Sequence, residues 1–191
     1  MPPKSKRKDI ELTSQFDEAF NILENTTNNL LITGKAGTGK TTFLDYFRDN
    51  TEKNVVVVAP TGISAINVKA QTIHSFFRFK PRFIETKSIS KARKDLRKLY
   101  NKIDFLIIDE ISMVRADLFD AIERFLMING KEANEPFGGC QICIIGDLFQ
   151  LPPPKVAPVF GTPSPHDLLQ DENCVASDRA RNFWRSCLSD V

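Results

Sequence analysis

Short apolar runs and longer amphipathic stretches alternate along this chain of 191 residues. Four runs rich in β-branched and other apolar residues predict strands, at residues 30–33, 55–59, 105–110 and 141–145. Their apolar residues do not alternate with polar ones, which is typical of parallel strands that are covered on both faces. The pattern therefore predicts a parallel sheet of at least four strands.

Apolar residues at helical spacing predict helices between these strands. An amphipathic helix is expected over residues 16–23, with Thr13 or Ser14 as its N-cap. Further helices are expected at residues 42–48, 62–70 (capped by Thr61), 90–100, 115–127 and 178–188. The helix that opens at Ser90 is expected to bury one apolar face, made of Ala92, Leu96, Leu99 and Tyr100. Strands that alternate with helices predict an α/β fold with a parallel sheet flanked by helices.

Composition and length place the chain among soluble globular proteins, with 41% hydrophobic and 26% charged residues. No apolar run approaches the length of a membrane span, and the N-terminus lacks a secretory signal. We therefore expect a protein that is intracellular and not secreted, cytoplasmic in a bacterium or nuclear, with no membrane partner. Residues 1–9 predict a basic disordered tail, and residues 10–191 a single domain.

The cysteines raise the question of a metal or redox site, because Cys140 and Cys143 have C-x-x-C spacing. Both lie in or beside a predicted strand, where residues three apart point to opposite faces. That geometry suits neither a zinc knuckle nor a redox turn. We interpret both as structural cysteines.

Charge is distributed unevenly along the chain, although its net value is only +2. Residues 1–8 carry four basic and no acidic residues, and residues 78–102 carry ten basic against two acidic. The rest of the chain therefore has a net charge of −10. A basic segment on an acidic body favours a polyanion such as nucleic acid, and the alternative is a solvated helix face. The tail suits either a nuclear address or a DNA-binding arm.

Residues 34–41 match the P-loop pattern G-x-x-x-x-G-K-[ST], between a predicted strand and a predicted helix. Glycines let the backbone approach a phosphate closely, and the N–H groups of the loop and helix N-terminus form an anion site. Lys40 supplies positive charge to the β- and γ-phosphates, and the Thr41 hydroxyl is a ligand for Mg²⁺. The predicted nucleotide contacts are Gly34, Gly37, Thr38, Gly39, Lys40, Thr41 and Thr42.

Two carboxylates, Asp109 and Glu110, end the third predicted strand. In a P-loop fold Asp109 is expected to hold Mg²⁺, and Glu110 to act as the base that polarises the attacking water. Gln150 follows the fourth strand at the same edge of the sheet, where its amide could donate to a γ-phosphate. These residues predict ATP hydrolysis, with Lys40, Glu110 and Gln150 in catalytic roles.

The motifs together resemble the first RecA-like domain of a superfamily-one DNA helicase of the PIF/RecD type. The matching segments are LTSQ at 12–15, GKAGTGKTT at 34–42, APTGISA at 59–65, TIHSF at 72–76, IDEISMV at 108–114, PFGGCQ at 136–141, GDLFQLPP at 146–153 and NFWR at 182–185. They correspond in order to motifs Q, I, Ia, II and III, followed by the aromatic segment that ends this domain in the family.

The resemblance implies a RecA-like P-loop NTPase fold, ATP and Mg²⁺ as cofactors, and single-stranded DNA as partner, with movement from 5′ to 3′. It implies that Gln15 reads the adenine edge, and that Thr61, Thr72 and His74 lie at or near the DNA. It also implies that the motif III strand lies between the P-loop strand and the Asp109 strand. A packed surface histidine is the alternative for His74. Four phenylalanines could stack on bases or pack in the core, the latter expected for at least two: Phe76, Phe77, Phe79 and Phe83.

Two departures from the family pattern leave alternatives open. The glycine that usually precedes the TIHSF run is replaced by Ala70 and Gln71, so the local backbone is expected to differ from the family's while the class stays the same. The second RecA-like domain, with arginines that reach the γ-phosphate, is expected to be absent from residues 1–191. The leading hypothesis is an ATP-dependent DNA helicase module. The alternatives are an ATP- and DNA-binding fragment that needs a second domain or partner chain to translocate, and a P-loop ATPase unrelated to nucleic acid.

Overall fold

Five parallel strands form the centre of the structure, a computed structural model that describes residues 13–147. The strands are β1 (Leu30–Thr33), β2 (Val55–Ala59), β3 (Gln71–Thr72), β4 (Phe105–Ile108) and β5 (Gln141–Gly146). Their order across the sheet is β1-β5-β4-β2-β3. The motif III strand β5 thus lies between the P-loop strand β1 and the Asp109 strand β4, as the resemblance implied.

Helices cover both faces of this sheet. They are α1 (Ser14–Asn25), α2 (Lys40–Asn50), α3 (Gly62–Asn67), α4 (Ile73–Phe77), α5 (Lys94–Tyr100) and α6 (Ala116–Asn129). Short 3₁₀ turns occur at Thr86–Ser88, Ile111–Met113 and Pro136–Gly139. None of the helices between residues 13 and 147 combines the length and apolar character needed to cross a bilayer.

The register of the strands sorts their side chains into two cores. Leu31 pairs with Ile144, Ile144 with Ile108, and Ile108 with Val58, and all four lie in the core that α4, α5 and α6 cover. The next residues along the strands, such as Ile107 and Ile145, lie in the core formed with α1 and α2. Burial on both faces explains why the strand sequences are continuously apolar.

The cysteines follow the same division. Cys140 belongs to the core under α6, whereas Cys143 belongs to the opposite core, and both are buried free thiols. Within residues 13–147 no group of three His, Cys, Asp or Glu side chains is arranged to hold a metal ion. The prediction that these two cysteines lie on opposite faces of the sheet is confirmed, and their purely structural role stays a prediction.

Several predicted boundaries were wrong. The helix expected to open at Ser90 begins at Lys94, because residues 90–92 are held in another conformation by hydrogen bonds to Asn129. Leu99, expected on its buried face, is 49% exposed. The helix expected over residues 62–70 ends at Asn67. Two residues later, Lys69 adopts a left-handed backbone conformation (φ 51°). Asp109 and Glu110 lie beyond the end of β4, and Glu110 has a left-handed backbone (φ 51°).

The segment at Ala70 and Gln71 folds as an element that the sequence did not predict. Gln71 and Thr72 form the edge strand β3, and α4 follows at once. A strand of two residues is too short to produce a periodic pattern. The basic tail at residues 1–9, Gln150 and the helix expected at residues 178–188 lie outside the described residues.

Candidate functional site

The carboxyl ends of all five parallel strands meet at one edge of the sheet, and most of the predicted site residues follow those ends. The P-loop follows β1, Asp109 and Glu110 follow β4, and Gly146 ends β5. Thr61 lies beyond β2 and His74 beyond β3. Parallel pairing thus brings together residues that are far apart in the sequence.

The P-loop runs from β1 into the first turn of α2. Gly37 and Gly39 have left-handed backbones (φ 82° and 91°), which glycine adopts without a steric penalty. A Cβ added at Gly34 would lie 2.7 Å from Thr38 Oγ1, so that position also has no room for a side chain. Gly39 is the N-cap of α2 and has no side chain to cap it, which leaves the first amide groups free for an anion.

Lys40 folds back over this loop. Its Nζ donates to the carbonyl oxygens of Gly34 at 2.5 Å and Lys35 at 3.0 Å. The Thr38 hydroxyl donates to the same Lys35 carbonyl at 2.9 Å. Thr41 and Thr42 are exposed in the first turn of α2. Two neutral carbonyl oxygens therefore hold the ammonium above the loop. A charged phosphate oxygen could replace them as its hydrogen-bond acceptor.

The start of α1 packs against the loop. A Cβ at Gly39 would lie 3.4 Å from the ring of Phe16, and that ring contacts Phe43 edge-on with centroids 5.3 Å apart. Thr13 is the N-cap, since its hydroxyl oxygen accepts a hydrogen bond from the Phe16 amide at 3.4 Å. Gln15, exposed in this first turn, therefore lies near the P-loop.

Asp109 is a buried carboxyl group, 8% exposed. Burial, reinforced by the negative charge of Glu110, raises its pKa to about 6, and the Lys40 ammonium acts in the opposite direction. Within residues 13–147 neither Asp109 nor Glu110 forms a salt bridge. Two adjacent carboxylates, one of them buried, are the kind of oxygen-donor set that a divalent cation stabilises.

Gly146 brings the segments after β4 and β5 into close contact. A Cβ at this position would lie 2.8 Å from Ile111 Cγ2 and 3.1 Å from the Ile111 backbone nitrogen. Asp147, the next residue, is buried. The turn that carries the two carboxylates therefore packs directly on the start of the segment that leads to Gln150.

The residues expected near DNA are placed at the start of two short helices. Thr61 is the N-cap of α3 and accepts from the Ser64 amide at 3.1 Å, and Thr72 is the N-cap of α4 and accepts from the Ser75 amide at 3.2 Å. The pairing of Ala59 with Thr72 makes these helix starts neighbours. His74 is half-buried, and burial followed by the Arg115 charge lowers its pKa, which favours the neutral imidazole.

Two further contacts near this edge have no signal in the sequence pattern. Arg115 forms a bidentate pair with buried Asp117, at 2.8 and 2.6 Å, beside His74. Arg48 on α2 donates to the Val68 carbonyl at 3.0 Å and the Lys69 carbonyl at 3.4 Å, which joins the P-loop helix to the end of α3. Arg48 reaches a carbonyl group 20 residues along the chain, whereas Arg115 pairs with a residue only 2 positions away and gains its role from lying beside His74.

Comparisons with known proteins agree with this arrangement. A family model described as PIF1-like helicase matches residues 10–159. The chain is 36% identical to an ATP-dependent DNA helicase PIF1 of Saccharomyces cerevisiae over 157 residues, which cover 75% of this chain and 18% of the relative. It is 31% identical to the ATP-dependent DNA helicase RRM3 of the same species, over 80% of this chain and 22% of the relative.

Solved structures are similar as well. A Bacteroides Pif1 helicase in complex with ADP-AlF3 and single-stranded DNA superposes with a TM-score of 0.72 at 44% identity, over 78% of this chain and 35% of that one. This likeness confirms the predicted RecA-like fold. The chain spans about a fifth of the length of these curated relatives and about a third of the solved one.

Proposed function

Because this chain belongs to the PIF1-like helicase family, we propose that it is the ATP-binding domain of an ATP-dependent DNA helicase. The observation that carries the proposal is the convergence at one sheet edge of an open P-loop, the buried Asp109 beside Glu110, and two helix starts. ATP hydrolysis at the loop would be coupled to single-stranded DNA held by the segment after β2.

The P-loop would hold the phosphates of ATP. The amides of residues 34–42 surround the anion, and the Lys40 ammonium exchanges its two carbonyl acceptors for β- and γ-phosphate oxygens. Gln15, in the helical turn next to the loop, would contact the adenine edge. The loop geometry supports this proposal because each glycine lies where a side chain would be strained or would collide.

Thr41 and Asp109 would hold Mg²⁺, which neutralises charge on the phosphates when it is bound. The donor set fits such an ion, since the Asp109 carboxyl is buried beside Glu110 and its pKa is raised. Glu110, at the exposed side of this pair, would accept a proton from the water that attacks the γ-phosphorus. Gln150 would contact the γ-phosphate from the segment after Gly146.

Single-stranded DNA is the proposed partner, with translocation from 5′ to 3′ by likeness to the family. Thr61, Thr72 and His74 would lie along its path, at the starts of α3 and α4. The site would therefore function inside the cell, in bacterial cytoplasm or the nucleus. The whole-protein roles that we propose from the family are DNA repair, recombination and telomere maintenance.

A fragment that binds but does not translocate is the second candidate. The observation that favours it is that residues 13–147 form one RecA-like sheet, which carries the P-loop and both carboxylates. Phosphoryl transfer in this class depends on positioned positive charge, and translocation on two domains that close around ATP. In this case translocation would require a second RecA-like domain or a partner chain.

ATP hydrolysis with and without single-stranded DNA tests the proposal. We expect DNA to stimulate turnover, and Lys40→Ala to abolish turnover with or without DNA. Magnesium-dependent ATP binding without turnover would favour the incomplete fragment. Turnover that DNA does not change, with no measurable DNA binding, would contradict the helicase assignment and favour an unrelated ATPase.

A further inference from the structure

The basic segment after α4 forms a strap along α6. We define the strap as residues 78–92. In the middle of the strap, the Ile84 amide donates to Asp117 Oδ2 at 3.5 Å, in the first turn of α6. At the end of the strap, the Ala92 amide donates to Asn129 Oδ1 at 2.7 Å, and Asn129 is the last residue of α6. The strap is therefore anchored at both ends of a helix about 20 Å long.

A cleft of about 670 Å³ lies between the strap and the helices beneath it. Aromatic residues from the strap and three helices form its wall: Phe77, Phe79, Tyr100 and Phe125. Phe77 stacks on Phe79 with centroids 5.5 Å apart, and Phe79 contacts Phe125 edge-on at 5.6 Å. The rings of the wall contact one another, and the cleft volume is within the range of ligand pockets.

Positive charge surrounds the opening of this cleft. Four cationic side chains line it, against the one carboxylate of Glu85: Arg78, Lys80, Arg82 and Lys91. All four residues are exposed, and within residues 13–147 none of them forms a salt bridge. Their charge is available to an anionic ligand.

Phe83 stands among these cations. It lines the cleft and is 44% exposed, whereas Phe77 in the wall is 1% exposed. Within the described part of the chain its ring makes no pair with another aromatic ring. A half-exposed ring beside free cations is the combination that proteins use to bind unpaired nucleotides, since bases stack on the ring and phosphates meet the charges.

We propose that the strap cleft binds an unpaired nucleotide of single-stranded DNA, with its base against Phe83 and its flanking phosphates on the four cations. This inference rests on the proposed function and adds a second contact to it. A paired base is stacked on both faces inside a duplex and could not enter, so the cleft selects single strands.

The location of the cleft agrees with this role. Arg78 directly follows α4, the helix that begins at Thr72 and carries His74. Asp117, which meets the strap at Ile84, is paired with Arg115 beside His74. The strap cleft thus begins where the predicted path of the DNA along α4 ends, and one strand could occupy both.

Affinity for a fluorescent oligothymidine tests the inference, with the full chain and matched variants. Phe83→Ala is expected to weaken binding roughly fivefold to tenfold, because one stacking partner is lost. Arg82→Gln is expected to weaken it and to make the slope of log K against log salt less negative by roughly 0.7, for one lost phosphate contact.

Two controls come from the same basic stretch but lie outside the cleft. Leu99→Ala removes an equally exposed apolar side chain, and Lys98→Gln removes an exposed cation from α5. We expect both to bind within about twofold of the unmodified chain. Thermal melting of each variant establishes that it is folded, which we expect because Phe83, Arg82, Lys98 and Leu99 are all exposed.

Photocrosslinking locates the base directly. An oligothymidine with one 5-iodo-deoxyuridine is expected to crosslink to the peptide that contains Phe83, and Phe83→Ala to remove that product. If Phe83→Ala changes neither affinity nor crosslink, the inference is wrong, even if Arg82→Gln weakens binding. A loss of affinity in His74→Ala alone would overturn the cleft and keep the proposed function. An unmodified chain that binds no DNA would overturn both.

Discussion

Asp109 illustrates how much a single residue depends on its surroundings. Its carboxyl is buried beside Glu110, and its pKa is raised from 3.8 to about 6. In the unfolded chain this carboxyl is in water and ionises at a lower pH. Near neutral pH the charged carboxylate is therefore less stable in the folded protein than in the unfolded chain. The position is destabilising unless a cation binds, which is what a ligand site for Mg²⁺ requires.

Asp109→Asn is therefore expected to stabilise the protein without metal. Because the folded pKa lies above the unfolded one, ionisation lowers stability as pH rises from about 4 to above 6, and asparagine does not ionise. At pH 7.5 in chelator we expect a gain of about 2 kcal/mol, which disappears near pH 4. Thermal melting at both pH values measures it, with exposed Asp49→Asn as control. A lower melting temperature for Asp109→Asn at both pH values would contradict the argument.

Cys140 permits a second test at this scale. Burial, followed by the nearby Asp104 charge, raises the pKa of its thiol to about 12. Alkylating reagents attack the thiolate, so at pH 8 we expect native Cys140 to react with iodoacetamide at least roughly a hundredfold more slowly than in the unfolded chain. Mass spectrometry of the labelled peptides measures both rates. Rapid labelling in the native protein would instead indicate an accessible metal or redox thiol.

At the scale of elements, α6 organises one face of the molecule. Its apolar side packs under β4 and β5, while its two ends hold the strap through Asp117 and Asn129. Asn129 is fully buried, and its amide also donates to the Ser90 carbonyl at 3.3 Å and the Phe125 carbonyl at 3.0 Å. The Asn129 side chain therefore forms hydrogen bonds with three backbone groups, two in the strap and one in α6.

Asn129→Ala is expected to destabilise the fold by about 2–3 kcal/mol, because it leaves the Ala92 amide and the Ser90 carbonyl unpaired in a partly buried position. Urea denaturation measures the loss. Ser90→Ala is the matched control, since the strap uses only the backbone of that residue and should keep its stability within about 0.5 kcal/mol. Equal stability of Asn129→Ala and the unmodified chain would show that the strap is not anchored there.

At the scale of the whole molecule, positive charge is concentrated in one stretch of the chain. The ten basic residues at 78–102 oppose two acidic ones on a chain whose net charge is only +2. In the structure four of the ten line the strap cleft, and the other six, Lys98 on α5 among them, lie outside its lining. Long-range attraction of a polyanion to the strap follows, and it weakens as salt screens it.

Affinity for single-stranded DNA is therefore expected to fall roughly twentyfold between about 50 and 200 mM salt, which corresponds to about three phosphate contacts. Fluorescence anisotropy titrations measure the slope. A chain that starts at residue 10 separates the contribution of the basic tail from that of the strap. DNA binding that does not depend on salt would refute the electrostatic interpretation.

Contiguous residues were enough to predict the chemistry of the candidate site. The P-loop pattern defined its glycines and Lys40, and a strand that ends in Asp109 and Glu110 located the carboxylates. Continuous apolar runs predicted parallel strands buried on both faces, and C-x-x-C spacing in a strand predicted two structural cysteines. Each of these features depends on local backbone geometry, which neighbouring residues determine.

Long-range packing decided the rest. No local pattern shows that Arg48 reaches the end of α3, that Asn129 prevents residues 90–92 from joining α5, or that Phe77 is buried while Phe83 is half-exposed. The same holds for Leu99, whose helical position predicted burial. These outcomes depend on which distant side chains meet across the sheet edge and along α6. The sequence thus determined the kind of chemistry and the fold class, and only the tertiary structure determined which aromatic and basic residues remain free for a partner.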